Sequence, residues 1–190
     1  MSHNYGFLRD PAFHAFLHAI DVEEAEKARR EGCLTCGGAL HVANYLRAPM
    51  GGPSTRAMRL SFCCAREGCR RRHTPGSVRF LGRKVYLGVI VLLASVVYHG
   101  LPPHRRQRLD ARLGVSERTL VRWRHWWLRD FAGSRFWQAM RGFFDTPVER
   151  DDLPVSLLER FEGAVRDQAL ATLRFLAPIA GGKGMAVRAF

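Results

Sequence analysis

Acidic side chains are nearly missing from the middle of this chain. Residues 56–129 hold only Glu67, Asp110 and Glu117 against 17 arginines and lysines, whereas the rest of the chain holds 13 basic and 14 acidic residues. The net charge of +13 therefore resides in one block. That is the footprint of a polyanion-binding surface flanked by neutral modules. Lysine is scarce as well, at three against 27 arginines. The planar arginine fork suits phosphate oxygens and guanine edges.

Long hydrophobic runs are lacking too. The longest uncharged one, "VYLGVIVLLASVVY" at 85–98, has 14 residues, short of the about 20 that a membrane-spanning helix needs. It reads as a buried helix, with no membrane partner. The N-terminal "MSHNYGFLRDPAFHAFLHAI" lacks the uninterrupted apolar core and small-residue cleavage site of a signal peptide. A cytoplasmic location is the expectation.

Catalytic patterns are equally thin. His14 and His18 stand four apart, but no glutamate follows His14 as a zinc-protease motif requires, so both read as solvent-facing histidines of an amphipathic helix. "GGKG" at 181–184 lacks the spacing and the Ser or Thr of a phosphate loop. No Ser-His-Asp or Cys-His arrangement follows from spacing, and the expectation is that the chain is not an enzyme.

What is present reads as an α+β chain, mostly α. A helix is predicted over 10–31, with Phe13, Phe16, Leu17 and Ile20 on one face, a capping arrangement at Asp21 and Glu24, and Gly32 as its end. "ALHVANYLR" and "TRAMRLSF" read as two strands joined by the turn-rich "APMGGPS". Helical periodicity returns from 84 to about 130, followed by a short amphipathic segment, "RFWQAMRGFF", and a final helix from Ser156. The predicted organisation is N-terminal helices at 1–32, a zinc-ribbon β-hairpin module at 33–83, a helix-turn-helix domain at 84–130, a C-terminal helical extension at 131–178 and a flexible tail at 179–190.

The cysteines carry the sharpest local signal. "CLTCGG" places Cys33 and Cys36 in a knuckle whose glycines permit a tight turn with amides aimed at sulfur. Cys64 and Cys69 form a second pair across the hairpin. Two pairs flanking a hairpin are the plan of a zinc ribbon, and closure by four thiolates makes the single Zn2+ structural. Alternation along the strand chooses Cys64 over Cys63, because Met58, Leu60 and Phe62 share its phase. Cys63 is then a spare thiol, and His73 a replacement ligand should Cys69 go unused. A redox pair is disfavoured, because Cys33 follows a helix and precedes a strand.

"RQRLDARLGVSERTLVRWRH" at 106–125 has helix-turn-helix spacing. Gly114 sits at the turn, Leu109, Leu113, Val115, Leu120 and Trp123 at the packing positions, and Ser116 at the N-cap of the second helix. Asp110 departs from the pattern, where a small residue usually allows close approach. The outward side of the second helix is Glu117, Arg118, Val121, Arg122 and His125, suited to base edges. Arg70, Arg71, Arg72, Arg105, Arg106, Arg108 and Arg124 are placed for phosphates.

A cysteine-knuckle ribbon, the basic "CRRRHTPGSVRF", an apolar helix and "LGVSERTLVRWRHWW" together resemble the DNA-binding front end of bacterial insertion-sequence transposases over residues 33–130. In that family C-x-x-C pairs are followed by R-x-x-T and a helical domain that binds transposon ends. The usual ribonuclease-H-like catalytic domain has no room in the about 60 residues that follow. The resemblance therefore implies an accessory double-stranded-DNA-binding protein of a mobile element. Alternatives are a transcriptional regulator built from the same parts, a small metal-dependent nuclease, or an RNA-binding protein. The apolar stripe of the final helix offers a surface for a second copy or for a transposase.

Overall fold

The structure, a computed structural model of the 190-residue chain, describes residues 6–50, 57–82, 86–99 and 115–181. Among these residues it is α+β and predominantly helical. Helix α1, Pro11–Glu31, starts where the Asp10 carboxylate accepts the Ala12 N–H at 2.9 Å, and it carries proline in its first turn. It ends at Gly32, whose φ of 76° favours glycine. Phe13, Leu17 and Ile20 are buried as predicted, but Phe16 is 43% exposed. The helix also runs unbroken through Asp21 and Glu24. The cap expected there does not form, because Asp21 is buried and its oxygens are bonded elsewhere in the fold.

The hairpin is one excursion broken into two short ladders. Strands β1 (Leu40–Val42) and β4 (Phe62–Cys64) pair antiparallel, with Leu40 opposite Cys64, and β5 (Arg72–His73) adds to the far side of β4. Strands β2 (Tyr45–Arg47) and β3 (Ala57–Arg59) form a separate two-stranded sheet. "ALHVANYLR" is thus two strands. At the break the Asn44 Oδ1 accepts the Ser61 N–H at 2.9 Å, replacing a ladder bond with a side-chain bond.

Helix α2, Gly88–His99, is buried continuously from Gly88 to Ser95. A helix apolar on every side must be surrounded, and α2 is the post around which the larger core assembles. Helix α3, Glu117–His125, packs against it and continues into a π-helical turn, Trp126–Phe131. Trp127 and Phe131 are fully buried there, and Trp126 is partly buried. Helix α4, Arg135–Met140, is capped by the Ser134 hydroxyl, which accepts the Trp137 N–H at 3.1 Å.

The single final helix expected from Ser156 is two: α5, Val155–Leu158, and α6, Val165–Ala180. The chain turns between them at Gly163, where φ is 100°. Leu157, Leu158, Leu173 and Leu176 all join the larger core. The apolar stripe is therefore used in packing within the chain. Helix α6 also reaches Ala180, past the predicted start of the tail at 179.

Candidate metal centre and basic helix face

The first knuckle is built by its backbone. Cys36 N and Gly37 N both donate to the Cys33 carbonyl, at 3.2 and 2.7 Å, and Cys33 N donates back to the Gly38 carbonyl at 2.8 Å. Gly37 has φ of 69°. At Gly38 an added Cβ would lie 3.2 Å from Cys64 Sγ, 3.3 Å from Arg66 Cβ and 3.4 Å from Cys36 Sγ, so a side chain there would push its neighbours back by a few tenths of an ångström. The second knuckle repeats the turn, with Cys69 N and Arg70 N donating to the Arg66 carbonyl and Gly68 at φ of 82°.

These turns bring the sulfurs of Cys33, Cys36, Cys64 and Cys69 within 4.8 Å of one another. Cys33 and Cys69 are 3.7 Å apart, and Cys36 and Cys64 are 3.5 Å apart. Four thiolates around a tetrahedral zinc, each about 2.3 Å from the metal, have edges of about 3.8 Å. The donor set and its dimensions therefore fit one metal ion closed by four sulfurs. Ala25, Leu40 and Phe62 wall it in.

The thiols are unlike one another. Burial raises Cys33, but the Thr35 and Cys36 N–H groups, the Cys36 thiol and the His73 ring outweigh it and hold the group down at about 5. Burial pushes Cys64 up to about 12, against the Arg66 N–H and with help from the neighbouring thiols. At Cys69 the Arg71 N–H pulls downward, but burial and the Cys36 and Cys33 thiols leave it raised. So many sulfurs in one pocket resist ionising together unless a cation joins them.

Alternation identified the right neighbour. Cys64 is fully buried in the cluster, whereas Cys63 is half-buried outside it, its thiol donating to the Arg70 carbonyl at 3.3 Å. His73 does not take the place of Cys69. Its Nε2 lies 3.1 Å from Cys33 Sγ, the position of a group that supports a ligand from outside.

The basic block divides between surface and interior. Arg66, Arg70, Arg71 and Arg72 are exposed on the second knuckle and the strand after it. Arg59 and Arg79, also counted in that block, are 2% and 8% exposed. On α3 the exposed residues are Glu117, Arg118, Val121, Arg122, Arg124 and His125, while Thr119, Leu120 and Trp123 face inward. Val115 is buried as the packing pattern requires. Arg122 donates to Thr119 Oγ1 at 3.0 Å, and Arg124 Nη1 lies 3.3 Å from His99 Nδ1, so Arg124 leans back toward α2. Ser116 precedes α3, but its hydroxyl meets Thr119 Oγ1 instead of capping a backbone amide. The first helix of the expected helix-turn-helix, with Arg105, Arg106, Arg108, Leu109, Asp110, Leu113 and Gly114, lies outside the described residues.

One buried polar centre has no counterpart in the sequence reading. Asp21 accepts from Ser77 Oγ at 2.7 Å, from Val78 N at 2.8 Å and from Arg79 Nε at 2.8 Å. Beside it the guanidinium groups of Arg47, Arg59 and Arg79 stand 5.1, 5.7 and 5.1 Å from the centre of the Phe80 ring. The only advance signal was an acidic residue in phase with buried Leu17 and Ile20 on α1. Among the described residues no helix is long and apolar enough to cross a membrane. No family model, curated protein or solved structure matches this chain.

Proposed function

We propose that this chain is a zinc-stabilised protein that binds double-stranded DNA, with α3 as its groove-reading element. The observation that carries the reading is the division of α3. Thr119, Leu120 and Trp123 fix one side to the core, and the opposite side offers Arg118, Val121, Arg122 and His125 to solvent. A helix held in this way can enter a major groove without rearranging. Arg118 and Arg122 suit guanine O6 and N7, Glu117 suits cytosine N4, and Val121 suits a thymine methyl.

The metal is one structural zinc held by Cys33, Cys36, Cys64 and Cys69. Its role is mechanical, because four thiolates leave no open position for water or substrate. It fixes the turn from which Arg70, Arg71 and Arg72 project, and those residues contact phosphate without reading sequence. Together with the resemblance of residues 33–130 to transposase DNA-binding regions, this supports an accessory role at the ends of a mobile element.

Selection of bound duplexes from a random DNA pool tests the reading. The expected result is an enriched motif whose binding weakens steeply with salt, as about 6–10 phosphate contacts dictate. Recovery of unenriched DNA, or preference for structured RNA in direct competition, would overturn it.

A further inference from the structure

Helix α3 is tied back to the body of the chain by a row of three side chains from three elements. His99 is the last residue of α2, Arg124 lies in the last turn of α3, and Asp152 ends a short 3-10 helix, Arg150–Asp152. His99 Nε2 is paired with Asp152 Oδ1, and its Nδ1 lies 3.3 Å from Arg124 Nη1. An ionised carboxylate only accepts hydrogen bonds, and a guanidinium only donates them. The ring between them therefore donates from Nε2 and accepts at Nδ1, which is the neutral tautomer with its proton on Nε2.

The carboxylate end of this row is anchored. Leu153, next to Asp152, is 1% exposed in the larger core. Arg150 donates from Nε and Nη2 to the Leu128 carbonyl in the π-helical turn, at 3.4 and 3.2 Å, and Ser156 Oγ donates to the Glu149 carbonyl at 2.7 Å. The other end faces outward. Arg124 is exposed, and a guanidinium has five N–H groups, so one bond to a ring nitrogen does not exhaust it. An exposed arginine loses rotamer freedom when it grips a phosphate, and holding it beforehand removes part of that loss.

We propose that Asp152 and His99 are positioning residues, which hold Arg124 for contact with a backbone phosphate as α3 enters the groove. This role rests on the reading of α3 as a DNA-binding helix. It extends the interface beyond the basic block, because the anchor comes from residues 149–156. Asp152 is the informative member. A carboxylate beside a polyanion repels it, so by charge alone its removal strengthens binding. Positioning predicts the opposite sign.

The metal-loaded full-length chain is titrated at fixed salt with a labelled mixed-sequence DNA duplex, followed by anisotropy. D152A and H99F should each weaken binding about threefold to tenfold, and H99Q, which keeps a donor and an acceptor, should weaken it less. R124A should reduce the salt slope by about 1, and D152A added to R124A should cause no further loss. Asp152 is 52% exposed, so the urea midpoint of D152A should match wild type. Equal or tighter binding by D152A overturns the proposal, as does the same loss from D152A with and without Arg124. A wild-type chain that binds no duplex overturns the DNA-binding reading and this role with it, whereas duplex binding indifferent to D152A overturns this role alone. An R118A/R122A double variant should lose sequence selection and keep the Asp152 effect, which separates the phosphate contact from base reading.

Discussion

Asp21 and Arg79 are 58 positions apart in the chain, yet the carboxylate of one accepts the Nε proton of the other at 2.8 Å in the interior. The pair joins α1 to the segment that enters α2, and Ser77 and Val78 complete the carboxylate's bonding. Removing one partner of a buried pair leaves the other charge uncompensated, which costs about 3–5 kcal/mol. Asp21→Asn should lower the urea unfolding free energy of the metal-loaded protein by that amount. A D21N/R79M double variant should recover much of the loss.

The two adjacent cysteines should separate cleanly by metal content. Cys63→Ser should leave about one zinc per chain, and Cys64→Ser should remove it, as measured by elemental analysis after desalting. Gly38→Ala puts a methyl group against two of the sulfurs. Its metal affinity in a competition with a chromogenic chelator should fall about 10–100-fold, as for other disturbances just outside a metal's ligands.

If the chain binds DNA as proposed, contacts of the two kinds should differ in what they lose. Arg122→Ala should cost about 1–3 kcal/mol on the selected site and less on random duplex. Arg70→Ala should weaken both alike and reduce the salt slope by about 1. Fluorescence anisotropy on the two duplexes at several salt concentrations reads both numbers.

His18 adds an acid sensitivity that does not involve the metal. Burial, and then the positive charge of Arg79, lower its pKa from 6.5, and Asp21 opposes them only in part. Its Nδ1 is buried without a hydrogen-bond partner. Below about pH 6.5 the unfolded chain takes up a proton that the folded chain refuses, so stability declines as pH falls from there until the lowered folded value is reached. His18→Gln should flatten that part of the curve in urea midpoints taken from pH 7.5 down to pH 5.5.

The legible parts of this chain were those written in short periods. Apolar spacing announced α1, two-residue alternation told Cys64 from Cys63, and helical spacing sorted the two sides of α3. The misread parts depend on partners far away in sequence. Asp21 resembled a helix start because nothing near it reveals the Ser77–Arg79 segment that takes its oxygens. Arg59 and Arg79 resembled surface charge because a count by position cannot see the carbonyls of Pro75, Met58 and Ala180 that receive them. The last helix kept its apolar rhythm across Glu159–Ala164, and only the left-handed turn at Gly163 interrupts it.

Helix α1 belongs to both hydrophobic clusters: Phe13, Leu17 and Ile20 are rooted in the larger one, and Ala25 in the small one around the sulfurs. It is a cantilever clamped at one end by the helical body, with its free end held by the knuckle that follows Gly32. Stripping the metal would release that end, and the stretch Ala25–Glu31 would be the first helical backbone a protease could reach. Metal occupancy would then be readable at a distance, as a nick in a helix that supplies no ligand itself.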